Sequence, residues 1–468
     1  MLRSLLAAAS ALTLAACVAG PPPEIATPVP VLPAEFLYEP DTATAADLAD
    51  LLPLRDPAFD TLAAQGLAGS PTLAEAAARI EQARAGADRA GAERLPRIGA
   101  NASVTGQRIN PAQFGGALPP GISIDTEQVT YAANLTAGWD PDIFGRLRAQ
   151  QRAALARVDA ASATARGVRI ALIAEIAATV IDWRTLSARE AELQDDLASA
   201  EELARLAGVR ERAGIAPGFD RVRAESAASS SRSRLAALES ERVRLVGRLV
   251  TLTAQPASQV RAALLQGPAP SEASPVPAAL PSSLLVNRPD ILVAAANLAA
   301  EDAELAATAR RRFPVFDLSA ALGLLAFSPG DLFDSDSIVG SLVAAVAAPL
   351  VDFGRIEAEI AGAAAAKRAA YEAYRNAVFT GLGDAEAGYG LVASADAEAV
   401  AAAREANQLQ RAARLANTRY EAGLSDFLTV LEARRAADAS GERAAAAAGR
   451  ADRARVILWQ ALGGGDLP

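Results

Sequence analysis

The sequence has no histidine, a single cysteine (Cys17) and a single lysine (Lys367), and each scarcity removes a class of function. Without an imidazole there is no Ser-His-Asp or Cys-His relay, no His-based zinc site and no side chain that ordinarily titrates near neutrality. One cysteine permits neither an intrachain disulfide framework nor a Cys-based metal cage. Basic charge is also short: 45 Lys+Arg stand against 55 Asp+Glu, a net charge of -10 that disfavours nucleic acid as a partner. No catalytic, metal-binding or cofactor-binding constellation remains, so the expectation is a protein that is not an enzyme. What is abundant is alanine and arginine in a chain of 468 residues with 51% hydrophobic composition, which favours long helices.

The N-terminal residues place Arg3 before an apolar run from Leu5 to Ala16. A run of about 12 apolar residues is too short to cross ~30 Å of hydrocarbon and reads as a secretory signal, residues 1–16. It ends in Leu14-Ala15-Ala16-Cys17, similar to a bacterial lipobox, and Cys17 is the expected lipidation site, with Val18 directing the product to the outer membrane. A free cysteine at a signal end is the alternative. No later stretch is long and charge-free enough for a membrane helix, so any spanning part must be strands.

The chain repeats itself. Pro71 and Pro289, and Pro96 and Pro314, lie 218 residues apart, whereas Phe144-Gly145-Arg146 and Phe353-Gly354-Arg355, and Ala213-Gly214 and Ala422-Gly423, lie 209 apart. The change in offset places an insertion between the second proline and the Phe-Gly-Arg triplet of the first copy. The boundaries that follow are a lipid-anchored linker over 17–60, a first repeat over 61–254, a proline-rich connection over 255–283, a second repeat over 284–462 and a tail over 463–468.

Each repeat holds two stretches that alternate with period two, predicting strands at about 97–110, 127–140, 315–327 and 338–351. Val129, Tyr131, Ala133, Leu135, Ala137 and Trp139 form one face against Gln128, Thr130, Asn134 and Thr136. Such two-faced strands suit a membrane β-barrel, with Trp139 in an interfacial aromatic girdle, and equally suit half-buried hairpins. After each Phe-Gly-Arg comes a proline-free run of roughly 65 residues, or ~95 Å of helix, far beyond an ordinary helix and in need of continuous lateral partners. Four strands cannot close a barrel, for which about eight is the minimum, so several chains must contribute.

Taken together, the lipobox, the duplication, the strand pairs, Arg288-Pro289-Asp290-Ile291 and Tyr420-Glu421-Ala422-Gly423 resemble the TolC-type outer-membrane factor family, nearest its NodT/OprM-like lipoprotein branch. The resemblance spans the mature chain. It implies a mainly α fold with a membrane β-barrel part: a homotrimer with a twelve-stranded β-barrel in outer-membrane lipid and a periplasmic α-barrel. It further implies a passive exit duct joined to a periplasmic adaptor and an inner-membrane transporter. An outer-membrane component of type I protein secretion and a lipid-anchored coiled-coil scaffold are the other readings.

The same resemblance implies a periplasmic gate at the turns around Ala213-Gly214 and Ala422-Gly423. Tyr420 matches the family tyrosine, Glu432 and Thr429 fall at the two ring positions, and Asp426 lies between them. Glu421 stands where close relatives carry arginine. Asp220 and Arg223 occupy the corresponding turn of the first repeat and are expected to pair across chains. The alternative for Asp426 and Glu432 is a helix cap and a solvated helix face. Asp331, Asp334 and Asp336 read as a solvated loop rather than a cation site.

Overall fold

The computed structural model describes residues 23–40, 47–108, 110, 127–267 and 275–465. Cys17 and the residues read as the signal lie outside them. Helices dominate, in the order α1 (Pro57–Gly69), α2 (Pro71–Ala92), α3 (Arg146–Arg212), α4 (Gly218–Thr253), α5 (Ala257–Leu264), α6 (Leu284–Asn287), α7 (Pro289–Ala309), α8 (Arg355–Glu421) and α9 (Phe427–Ala461). Strands β1 (Arg97–Arg108) and β2 (Glu127–Trp139) separate α2 from α3, and β3 (Val315–Ala326) and β4 (Ile338–Ala347) separate α7 from α8. No described helix is long and apolar enough to cross a membrane. The described residues form two compact units, one drawn from residues 23–27, 81–159 and 295–372, the other from residues 28–80, 160–294 and 373–465.

The first unit carries an antiparallel sheet in the order β1-β2-β3-β4. In β1·β2 Arg97 opposes Gly138, and in β3·β4 Val315 opposes Ala347. These pairs are one pair in repeat numbering, since 97 and 315 differ by 218 and 138 and 347 by 209. The two hairpins therefore share a register, and the length difference between the repeats falls beyond the rung Gly106–Val129, where β1·β2 has two further rungs, Gln107–Gln128 and Arg108–Glu127, and a longer connection. Ala100, Ala102 and Val104 oppose Leu135, Ala133 and Tyr131 on one face, continued by Leu322, Leu324 and Leu342. Asn101, Thr105 and Gln107 oppose Asn134, Thr130 and Gln128 on the other. Ile98, Val104, Leu135, Leu322, Leu342 and Val346 are all exposed, so a continuous apolar face lies uncovered.

Two edges depart from the sequence pattern. β4 stops at Ala347 rather than 351, because Pro349 has no N–H to donate to a ladder. Trp139 is exposed, but its indole Nε1 donates to the Arg94 carbonyl at 3.0 Å, which fixes the ring over the turn between α2 and β1.

Each strand pair hands over to a long helix through an aspartate cap. The Asp142 carboxylate accepts from the Leu147 and Arg148 amides, both at 2.8 Å, and the Asp352 carboxylate accepts from Ile356 at 2.8 Å. Gly145 and Gly354 turn the chain at φ +78° and +84°, a region closed to most side chains.

The second unit is built on a helical core in which Phe59, Ile176, Val180, Leu249, Leu264, Tyr389 and Trp459 are buried. Two arginines tie it. Arg184 makes a fork to Asp56, Nε to Oδ2 at 2.8 Å and Nη2 to Oδ1 at 2.9 Å, and donates to the carbonyls of Leu264 and Gln266. Asp56 also caps α1 by accepting from the Ala58 amide. Arg288 donates to the Ala461 carbonyl and to Asp290 and Asp384, so the Arg-Pro-Asp triplet pins α7, α8 and the end of α9. The segment before α1 is packed too: Phe36 meets Tyr389 at 5.3 Å, and the amides of Leu37 and Tyr38 donate to Glu386.

Candidate functional site

The two turns that join the long helices to their successors are built alike. At the end of α3 Gly214 sits at φ +71°, its amide bonds to the Glu211 carbonyl and the Ile215 amide to the Arg210 carbonyl. At the end of α8 Gly423 sits at φ +75°, with bonds from Gly423 to Tyr420 and from Leu424 to Arg419. Both are Schellman turns, in which a left-handed glycine lets the last carbonyls find donors. The next helix starts behind Pro217 in one case and behind Asp426 in the other.

Tyr420 is buried among Leu203, Ala207, Ala224, Phe427, Val430 and Leu431. Its ring meets Phe427 edge-on at 6.0 Å, and the Arg210 guanidinium lies over it, 4.1 Å from the centroid. Arg210 Nη2 also donates to the Tyr420 carbonyl at 3.1 Å. Arg210 was not among the sequence candidates, and its position 210 residues upstream offers no local signal.

Asp426 is the N-cap of α9: its Oδ1 accepts from the Thr429 amide at 2.7 Å, and that bond holds its carboxyl below the ordinary range. Thr429 is thus Asp426's partner. Glu432, one turn on, is exposed and makes no ion pair among the described residues. Asp220 is half-buried, with its amide bonded to the Pro217 carbonyl, and within the chain the Arg223 guanidinium lies over the Phe219 ring, 4.3 Å from its centroid. Within this turn the ion pairs belong to Arg221, which reaches Glu211 and Glu225, each at 2.7 Å. In repeat numbering Asp220 matches Thr429 and Arg223 matches Glu432, so the turns differ in charge at both positions and carry opposite charge at the second.

Further along the same helices lies a polar cluster that no local pattern announces. Asp196 on α3 accepts from the Ser231 hydroxyl and from Arg234 Nη2 on α4, and Arg234 Nη1 reaches Glu442 on α9 at 2.5 Å. Burial and a hydrogen bond with Asp196 push the Asp438 carboxyl up to about 8. Burial pushes the Arg434 guanidinium down, and its Nη1 has no hydrogen-bond partner among the described residues. No group of three or more Cys, Asp or Glu among the described residues is placed to hold a metal ion.

Comparison with known proteins gives the arrangement a context. The sequence model of the outer membrane efflux protein family matches residues 62–255 and 280–464. The pyoverdine export outer membrane protein OpmQ of Pseudomonas aeruginosa is 31% identical over 411 residues, covering 87% of this chain and 85% of that one. Nodulation protein T of Rhizobium leguminosarum is 27% identical, covering 98% of this chain and 93% of its own. The solved structure of the outer-membrane channel OprN superposes with a TM-score of 0.85 at 27% identity, over 95% of this chain and 99% of that chain.

Proposed function

We propose a duct function on one premise: the chain belongs to the outer membrane efflux protein family. It is an outer-membrane efflux channel of the bacterial cell. In our reading three copies each give four strands to a twelve-stranded barrel, since four are too few to close one and eight or so suffice. The observation that carries this is the sheet itself, apolar and uncovered along one face of all four strands, and lined by Asn, Thr and Gln on the other face of the β1·β2 hairpin, which matches lipid outside and water inside. Solute then moves passively, driven by an inner-membrane transporter coupled through a periplasmic adaptor.

Lipidation of Cys17 anchors the chain, at ~0.8 kcal/mol per buried CH₂ of each acyl chain. The periplasmic gate comprises the turns at Gly214 and Gly423 with Tyr420, Asp426, Thr429, Glu432 and Asp220. Asp426 is engaged as a cap and stays ionised, so its position is fixed by the helix start, while Glu432 is the freer carboxylate that a three-fold ring presents to solute. The P. aeruginosa relative is named for pyoverdine export, which supports a small organic cargo over an exported protein.

Purified in detergent, the protein should run as a heat-modifiable trimer and give stepwise conductance in planar bilayers. A folded monomer, or a trimer with no conductance under any voltage, would defeat the proposal.

A further inference from the structure

The two hairpins of the sheet agree on one face and part on the other. On the apolar face Ile98, Val104 and Val129 of the first hairpin correspond in repeat numbering to Phe316, Leu322 and Ile338 of the second, so both copies keep it apolar. On the opposite face Gln107, Thr130 and Asn134 correspond to Leu325, Val339 and Val343. The ladder holds these replacements on that face: Leu325 opposes Ala132, Val339 opposes Gly323, which in turn opposes Asn134, and Val343 opposes Ser319. The wall turned away from lipid is therefore polar along one hairpin and apolar along the other.

Packing does not account for the change. Leu325, Val339 and Val343 are 38%, 39% and 49% exposed. Val339 and Val343 lie four residues apart on β4, ~14 Å along the strand, and Leu325 is the diagonal neighbour of Val339. Gly323 shapes the border of this strip. A Cβ there would collide with Asn134 Oδ1, so the Asn134 carboxamide lies over β3 at the rung that Gly323 shares with Val339. An amide and an apolar strip thus stand side by side. Lipid meets the opposite face, so what relieves the strip of water is a solute in the lumen.

We propose that Leu325, Val339 and Val343 are specificity-determining residues of the duct: the apolar part of an organic solute rides on them while Asn134 holds its polar part. The wall then discriminates among solutes instead of passing them indifferently. The proposal rests on the duct reading, which turns this face toward water.

Block of potassium current through the full-length trimer in planar bilayers tests it, with tetrabutylammonium and tetramethylammonium as probes of equal charge and unequal apolar surface. In Leu325→Asn/Val339→Asn/Val343→Asn the concentration of tetrabutylammonium that halves the current should rise about tenfold through lost apolar contact, and that of tetramethylammonium should stay at the parent value. Leu325→Ile/Val339→Ile/Val343→Ile should behave as the parent. Gln107→Leu/Thr130→Val, which lays a second strip on the first hairpin, should lower the tetrabutylammonium value. A triple Asn trimer that conducts with unchanged block by tetrabutylammonium, or with equal changes for both probes, overturns the proposal and leaves the duct intact. Should that variant not assemble, the converse variant decides, and the absence of a shift there overturns the proposal. A parent trimer that passes no current would instead defeat the duct reading, and this one with it.

Discussion

The Arg210 guanidinium lies over the Tyr420 ring, 4.1 Å from its centroid, while its Nη2 donates to the Tyr420 carbonyl at 3.1 Å. One side chain at the end of α3 therefore grips both the ring and the backbone of the last turn of α8. Arg210→Lys retains charge but loses the planar fork, and should cost about 1 kcal/mol locally. Amide exchange at Leu424, whose N–H closes the Gly423 turn, should speed up accordingly. Unchanged exchange would show that the stack contributes nothing.

Tyr420 itself is held by packing among Leu203, Val430 and Leu431. Tyr420→Ala should destabilise this end of the helices by about 3 kcal/mol or more, as large-to-small core changes do, and Tyr420→Phe by far less. Thermal melts of the two variants would separate them, and equal losses would mean that the hydroxyl rather than the ring matters.

Asp438 makes stability depend on pH in an unusual direction. Its folded carboxyl, pushed up to about 8, keeps its proton where the unfolded chain, titrating at its ordinary value, has released it. The folded state binds more protons across that window, so this contribution is full at low pH and is lost as pH rises through about 8. Facing it are Asp196 on α3, Arg234 on α4 and Arg434 on its own helix. Asp438→Asn, which imitates the protonated form, should flatten the fall in melting temperature between mildly acidic and mildly alkaline buffer. An identical slope in parent and variant would dismiss the effect.

Asp56 does two jobs, capping α1 and receiving the Arg184 fork. Asp56→Ala removes both and leaves a largely buried guanidinium short of its carboxylate, for an expected loss of about 2–4 kcal/mol. Denaturant unfolding would measure it, and a loss no larger than that of an isolated cap would rule out a role for the fork.

The two faces of β3 give a paired prediction. Leu322→Arg places charge on the apolar face and should cost about 2–4 kcal/mol if that face meets lipid, reducing assembly in the outer membrane. Ala321→Arg, on the opposite face, should assemble normally and shift single-channel selectivity toward anions. The reverse pattern would invert the assignment of the faces.

How far the sequence could be read depended on distance along the chain. The long helices α3 and α8 were legible because no proline interrupts them and apolar residues recur in threes and fours, and the strands because their period is two. The fold class follows from these local signals and from the duplication. The ends of elements were less visible, as β4 shows by stopping two residues before Pro349. What escaped was everything assembled from remote positions. Arg210 beneath Tyr420, the meeting of Asp196 with Asp438, and Asp56 in the Arg184 fork each join residues over a hundred positions apart, and no periodicity encodes such a meeting. Trp139 illustrates a different loss: its place at a strand end was plain, its hydrogen bond to Arg94 was not.

The shared register of the two hairpins has a consequence for how this molecule tolerates change. Because the nine residues by which the repeats differ all enter beyond the rung Gly106–Val129, partly as two extra rungs, the longer hairpin end alters none of the ten rungs that the two hairpins share. The far end of each hairpin is thus free to drift in length and composition, while the strands behind it keep one geometry.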